Sequence, residues 1–311
     1  MRAIFFGTPE IAVPSLKALA EIAEIVGVVC QPDRPGGRGM KMQMPAVKSC
    51  AVSLGCDVFQ PTRVRDGTLS DWVRKRAPDF ALVIAYGRIF SLDTLTSPRL
   101  GCLNLHASIL PELRGAAPIQ RALMEGKTET GVCLMQMDEG MDTGDVLACR
   151  KLAIHDSDNA GTLSARLGEL AAVVTSEEIP RFVRGELSPH KQDHTRATYA
   201  PPLTKEEARL TFHLPPLALV NRIRGLAPRP GAWCEIKGKN GGSRLKVQEA
   251  RVWEDNGPWA PGRVQWLGGN LLVGAQGGAL QILLAQPEGK KVLSPEELKN
   301  GRVLSDGDEL C

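Results

Sequence analysis

Apolar runs long enough to span a bilayer are missing from this chain. The opening stretch, MRAIFFGTPEIAVPSLKALAEIAEIVGVVC, is broken by Glu10, Pro14, Lys17, Glu21 and Glu24. Neither a signal peptide nor a membrane span is expected there, and no membrane partner. Paired cysteines are missing too. The eight cysteines, at 30, 50, 56, 102, 133, 149, 234 and 311, include no CxxC. Several sit in apolar runs such as IVGVVC and GVCLM, where the thiol packs as a small hydrophobe. A reducing cytosol is therefore expected, without a disulfide framework or a zinc site. His190 and His194 have ligand-like spacing, but no second pair accompanies them and the stretch is polar, so no metal is expected. GxxxxGK followed by Ser or Thr does not occur, which excludes a P-loop. IFFGTPE opens a strand–helix unit with Gly7 alone in its turn, which argues against a nicotinamide dinucleotide enzyme.

What is present is material for about two domains. At 43% hydrophobic and 23% charged residues the chain can bury an ordinary core. The net charge of +3 is unevenly spread: residues 1–203 carry 23 basic and 23 acidic side chains, and residues 204–311 carry 15 against 12. The excess in the last third hints at an anionic partner. Through residue 189, short apolar runs (RAIFF, EIVGVVC, DVFQ, DFALVIA, GCLNLH, TGVCLMQM) alternate with helical patterns. These are PEIAVPSLKALAE, PAVKSCAVSLG, LSDWVRKRA and APIQRALMEG, then a long helix at AGTLSARLGELAAVVTSEEIPRFV. Such alternation predicts a doubly wound α/β domain around a mostly parallel sheet. Residues 190–206 are polar and proline-bearing and read as a linker. Over 207–311 the helix PPLALVNRIRGLA precedes short strands, WCEIKG, SRLKVQEARVWE, GRVQWL, NLLVGA and GALQILLAQP, set apart by Gly, Asn and Pro. That pattern favours a small antiparallel barrel. A last helix starts at Ser294 with Pro295 in its first turn and Glu297 completing a capping box. The four Trp of this module (233, 253, 259, 266) read as packing rather than a base-stacking platform.

Three stretches could carry chemistry. In NLHASILP, Leu103 and Leu105 look like the core side of a strand, so Asn104 and His106 share the other face. His106 admits two readings, a satisfied histidine at a strand end or a functional ring beside a ligand, because α/β sheets bind ligands beyond their carboxyl ends. MQMDEGMDTGD crowds Asp138, Asp142 and Asp145 into a glycine-bearing loop, which is either only a turn or a carboxylate source. Should the loop return over the same sheet edge, one Asp meets His106. Amide, imidazole and carboxylate would then surround an acyl carbon, two stabilising an oxyanion and one managing a proton. No serine or cysteine nucleophile stands beside the histidine, which fits direct attack by an amine. The third stretch, QPDRPGGRGMKMQMPAVK, sets Arg34, Arg38, Lys41 and Lys48 against Asp33 alone. It reads as a mobile surface loop or as a basic arm that orders on RNA, with Met40, Met42 and Met44 as adaptable contacts.

FFGTPE, QPDRPGGRG, AYGRI, GCLNLHASILPELRGAAPIQRAL and TGVCLMQMDEGMDTGD, in that order, closely resemble the methionyl-tRNA formyltransferases. LTKEEARLTF, NRIRGLAPRPGAW and QPEGKK extend the resemblance across nearly the whole chain. It implies a Rossmann-like formyltransferase domain joined to a barrel of OB-fold type. It also implies transfer of a formyl group from 10-formyltetrahydrofolate, a consumed cosubstrate, to methionine on initiator Met-tRNA for translation initiation. The protein would be a monomer of the bacterial cytosol. The catalytic trio falls on Asn104, His106 and Asp142, and the folate-binding turn on Ser108, Ile109, Leu110 and Pro111. The tRNA-contacting loop spans Gln31 to Lys48, with Arg34, Arg38, Lys41 and Lys48 as its cations. Ala107 and Ile109 stand where the family usually has glycine and leucine. Sister enzymes that formylate sugar nucleotides or hydrolyse formylfolate share the trio, and the basic loop and barrel favour tRNA over their substrates. A non-catalytic RNA-binding module would have the loop and barrel without the trio.

Overall fold

Seven strands form the first sheet: β1 (Arg2–Gly7), β2 (Glu24–Val29), β3 (Val58–Phe59), β4 (Phe80–Ile84), β5 (Cys102–His106), β6 (Glu129–Gln136) and β7 (Val146–Ala153). The computed structural model describes residues 1–36, 40–237, 243–255 and 257–311. The strand order is β7-β6-β5-β4-β1-β2-β3. β1 to β5 pair in parallel, while β6 runs antiparallel to β5 and β7 antiparallel to β6. Every residue of β4, FALVI, is buried; a central parallel strand needs that unbroken apolar run because helices cover both faces. Helices α1 (Val13–Ile22), α2 (Ala46–Ser53) and α3 (Thr68–Arg76) join the successive parallel strands, α4 (Pro118–Met124) lies between β5 and β6, and α5 (Ala160–Val183) follows β7. Pro14 enters α1 in its first turn, where an N–H has no helical partner anyway. The mostly parallel α/β sheet predicted from the alternation is present.

Three features differ from the sequence reading. β7, VLACRKLA, is a strand that the apolar pattern does not announce, because Cys149, Arg150 and Lys151 are consecutively exposed on this edge strand. Its pairing sets Cys149 opposite Cys133, and the two are joined as a disulfide with Cα atoms 4.1 Å apart. The expectation of no disulfide is therefore corrected. The two cysteines lie sixteen positions apart in sequence, and only the return of β7 along β6 brings them together. The polar stretch read as a linker is also fastened down. His190 bridges Val146, and Tyr199–Ala200 pairs in parallel with Arg114–Gly115.

By packing, the chain divides into two units, residues 1–118, 129–153 and 164–201 in one and 119–128, 154–163 and 202–311 in the other. The second holds a five-stranded antiparallel sheet of β8 (Ala232–Ile236), β9 (Ser243–Trp253), β10 (Val264–Leu267), β11 (Asn270–Ala275) and β12 (Gly278–Pro287), in the order β8-β9-β12-β11-β10. The tail closes it. Glu235 and Cys311 exchange both backbone hydrogen bonds, and Glu309 bridges Arg263, so one short segment covers both sheet edges. Helix α6 (Pro216–Leu226) turns Leu219, Val220, Ile223 and Leu226 into the core beside Val247, Leu280 and Ile282. Helix α7 (Pro295–Asn300) carries the expected capping box between Ser294 and Glu297. Trp233 and Trp266 pack half-buried against that core, and the Arg244 guanidinium lies 4.2 Å from the centre of the Trp233 ring.

Candidate active site

β5 ends at His106, and Asn104 shares its face by strand alternation. The β6–β7 connection leaves the sheet beside the start of β5, where Met137 N–H donates to the Cys102 carbonyl at 2.8 Å. It then folds back over the face carrying Asn104 and His106 and delivers Asp142. Asn104 Nδ2 donates to Asp142 Oδ1 at 3.4 Å, and Asp142 Oδ2 lies 3.6 Å from His106 Nδ1. The Gly115 N–H donates to the same Oδ2 at 2.8 Å. The backbone of Asp142 is left-handed, with φ of 54°, a conformation that a non-glycine residue keeps only where its surroundings enforce it. Asp138 is exposed and bonds within its own loop instead, accepting from Gly140 N–H and Thr143 Oγ.

His106 is buried, and its Nε2 lies 2.9 Å from the Leu113 carbonyl. A carbonyl only accepts, so Nε2 carries hydrogen and Nδ1 is the edge presented to the carboxylate. In the turn that follows, Ser108 Oγ donates to the Glu112 carbonyl at 2.6 Å, and Glu112 N–H donates back to Ile109 at 3.1 Å. The Leu110–Pro111 peptide is cis, and the Leu110 N–H points at Cys133 Sγ. Ala107 lies outside the left-handed region, so the usual glycine is not needed there for its backbone freedom.

The basic loop divides its cations. Arg34–Gly36 pairs antiparallel with Lys41–Gln43, leaving Arg34 and Lys41 exposed along with Met40, Met42 and Met44. Lys48 is turned inward. Its Nζ lies 2.7 Å from Asp33 Oδ2, and Gln60 Nε2 donates to Asp33 Oδ1. The Lys48 hydrogen bond, and after it that of Gln60, hold the Asp33 carboxyl below its ordinary range. Arg38 lies outside the described residues.

Two groups of residues escape the sequence reading, Thr8, Tyr86 and Arg88 at a cavity shared with the basic loop, and Arg114 with Gln192. A cavity of about 650 Å³ opens at the carboxyl ends of β1, β2 and β4, lined by Thr8, Gln31, Arg34, Met44, Tyr86 and Arg88 among others. The signal for it is AYGR directly after the strongest apolar strand, at the edge where such sheets bind ligands. Burial pushes the Tyr86 hydroxyl up to about 12. The second group, Arg114 and Gln192, has no local signal, since the two meet across 78 residues of chain. Among the described residues no group of three His, Cys, Asp or Glu side chains could hold a metal ion, and no helix is long and apolar enough to cross a membrane.

An amide, an imidazole and a carboxylate thus meet at the end of a mostly parallel α/β sheet. The Formyl transferase family profile matches residues 1–179, and that of the Formyl transferase C-terminal domain matches residues 202–303. The chain belongs to the formyl transferases, an enzyme family. Within it, the chain falls with the methionyl-tRNA formyltransferases: it is 51% identical over 310 residues to the one from Sorangium cellulosum (strain So ce56), covering 99% of this chain and 98% of that protein. The solved methionyl-tRNA formyltransferase from Clostridium thermocellum shares the fold at 18% identity, with a TM-score of 0.56 over 81% of this chain and 94% of that one. HypX from Aquifex aeolicus, solved in complex with tetrahydrofolic acid, shares it at 17% identity and a TM-score of 0.63, over 98% of this chain and 48% of that one.

Proposed function

We propose that the protein transfers the formyl group of 10-formyltetrahydrofolate, a consumed cosubstrate, to the α-amino group of methionine on initiator Met-tRNA, serving translation initiation in the bacterial cytosol. The observation that carries this reading is the convergence of Asn104, His106 and Asp142. Support for the acceptor comes from the high identity to a methionyl-tRNA formyltransferase, and for the donor from the tetrahydrofolic acid complex of a protein with this fold.

Among the described residues no Ser hydroxyl or Cys thiol is bonded to His106, so the amine attacks directly and no acyl-enzyme forms. Its nitrogen, after losing a proton to Asp142 directly or through water, bonds to the formyl carbon. The formyl oxygen gains the charge, and Asn104 Nδ2, with His106 Nδ1 when protonated, donates to it. The bond from carbon to N10 of the folate then breaks. N10 keeps the electron pair and takes a proton, the amine loses its second proton, and the formamide is complete. Ser108, Ile109, Leu110 and Pro111 offer the folate's polar edge a stiff turn. Arg34, Arg38 and Lys41 meet tRNA phosphates while Lys48 anchors the base of their loop. The C-terminal unit contributes its own contacts to tRNA, and the protein acts as a monomer. The test is incubation with 10-formyltetrahydrofolate and charged initiator tRNA, followed by assay for formylmethionine. Formylation of a free amino sugar nucleotide with no product on Met-tRNA would overturn the assignment.

A further inference from the structure

The residue that holds Asp142 in its left-handed conformation comes from the stretch that reads as a linker. Gln192 is buried, and its amide makes every hydrogen bond available to it. Nε2 donates to the Asp142 carbonyl at 2.9 Å and to the Gly144 carbonyl at 2.7 Å. Oε1 accepts from Arg114 twice, from Nε at 3.1 Å and from Nη2 at 2.6 Å. Arg114 is 1% exposed, and among the described residues no carboxylate pairs with it; its remaining partner is His194 Nδ1, at 3.2 Å from Nη1. A buried guanidinium with only neutral acceptors depends on each of them.

Arg114 stands between the two backbone groups that position the trio. The preceding carbonyl, of Leu113, meets His106 Nε2, and the following N–H, of Gly115, donates to Asp142 Oδ2. One face of the Gln192 amide therefore fixes the backbone of Asp142, and the other fixes the turn holding its carboxylate and the imidazole. Thr198 and Ala200 fasten the same turn from the same stretch. Thr198 Oγ accepts from Leu113 N–H, the Thr198 carbonyl from Arg114 N–H, and the Ala200 carbonyl from Ala116 N–H and Ala117 N–H.

We propose that Gln192 is a positioning residue for formyl transfer, setting the angle of the Asp142 carboxylate against His106 by clamping the 142–144 backbone to the Arg114 turn. The proposal rests on the reading that Asp142 takes part in the chemistry. Misplacing a reacting group by about 1 Å can cost on the order of 10²-fold in rate, so the clamp acts on turnover rather than on substrate binding.

The test compares Gln192→Glu, Gln192→Ala and Asp142→Asn for turnover, KM for both substrates, pH–rate profile, melting temperature and hydrogen exchange at Gly115. Gln192→Glu is the decisive variant. It keeps an acceptor for Arg114, and so the fold, but sets a carboxylate oxygen against the Asp142 and Gly144 carbonyls. Expected are a loss of turnover of roughly tenfold or more, KM values within about threefold of the parent, a displaced pH–rate profile and faster exchange at Gly115. Gln192→Ala should lose at least as much turnover. Parental turnover and pH profile in Gln192→Glu would overturn the proposal, whether or not exchange at Gly115 changes. A fall in turnover matched by a rise in both KM values and a collapsed melting temperature would also overturn it, as a purely structural effect. Full activity in Asp142→Asn would instead remove the reading of Asp142, and exchange at Gly115 would still report whether Gln192 holds the turn.

Discussion

Asn104 and Asp142 touch each other before any substrate arrives, so loss of either partner leaves the other without its hydrogen bond. His106→Ala or Asn104→Ala is expected to lower turnover by roughly 10²-fold or more, the usual cost of removing an oxyanion donor. Binding of tRNA, measured separately by filter retention, should barely change. The carboxylates of the loop should separate cleanly. Asp142 faces the imidazole, whereas Asp138 satisfies its own turn through Gly140 and Thr143. Asp142→Asn should cripple turnover and alter the pH–rate profile, since an amide cannot accept the amine's proton. Asp138→Asn should act weakly, and equal impairment of the two would leave the choice of Asp142 without support.

Among the elements, the paired strands Arg34–Gly36 and Lys41–Gln43 and the helix start at Lys48 have different duties. Arg34 and Lys41 are exposed, while Lys48 is committed to Asp33. Phosphate contacts release counterions, so each cation lost from the contact surface lowers the dependence of affinity on salt. Arg38→Ala should weaken use of Met-tRNA more than Lys41→Ala, because a guanidinium can bind bidentately where an ammonium is a point charge. Formylation rate against tRNA concentration at two salt levels checks this. Lys48→Ala should raise KM for Met-tRNA with an unchanged salt slope, as expected of a residue that braces the loop rather than meeting phosphate. A slope lowered as much as in Arg38→Ala would place Lys48 among the contacts.

Taken whole, the molecule is not cut where its sequence changes style. Residues 119–128 and 154–163 pack with 202–311, and Arg121 of α4 forms a bidentate ion pair with Glu207. The Arg121 hydrogen bond, and next the Thr204 N–H, lower the Glu207 carboxyl from the ordinary 4.5 to about 2. A depressed folded-state value means that the pair's stabilisation is fully present above about pH 4.5 and is lost as pH falls toward 2. Glu207→Gln and the parent should therefore differ most in melting temperature above that window and converge below it; a constant difference across the window would exclude the pair as the source. Removing residues 207–311 takes away most of the unit against which residues 119–128 and 154–163 pack. The truncated protein is expected to melt well below the parent and to bind the hydrophobic dye ANS, even where it still takes up folate.

Local chemistry made much of this legible beforehand. β4 announces itself because a strand buried on both faces must be apolar throughout, and the capping box at Ser294 because its bonds span three residues. Asn104 and His106 are readable as partners for the same reason, since strand alternation alone puts them on one face. β7 was hidden, as an exposed edge strand needs no apolar pattern. So were the disulfide of Cys133 with Cys149, the retreat of Lys48 into an ion pair, and the clamp of Gln192 on Arg114 and Asp142. Each of these joins groups from separate segments, through a covalent, ionic or hydrogen bond whose partners have no fixed sequence spacing. Sequence determined the parallel sheet, the short antiparallel strands of the second unit and the residue types gathered at the end of β5. Local chemistry does not separate Asp142 from Asp138 and Asp145, although the resemblance pointed to it; the tertiary structure sets Asp142 against the imidazole, because that depends on where a loop lands and on what holds it there.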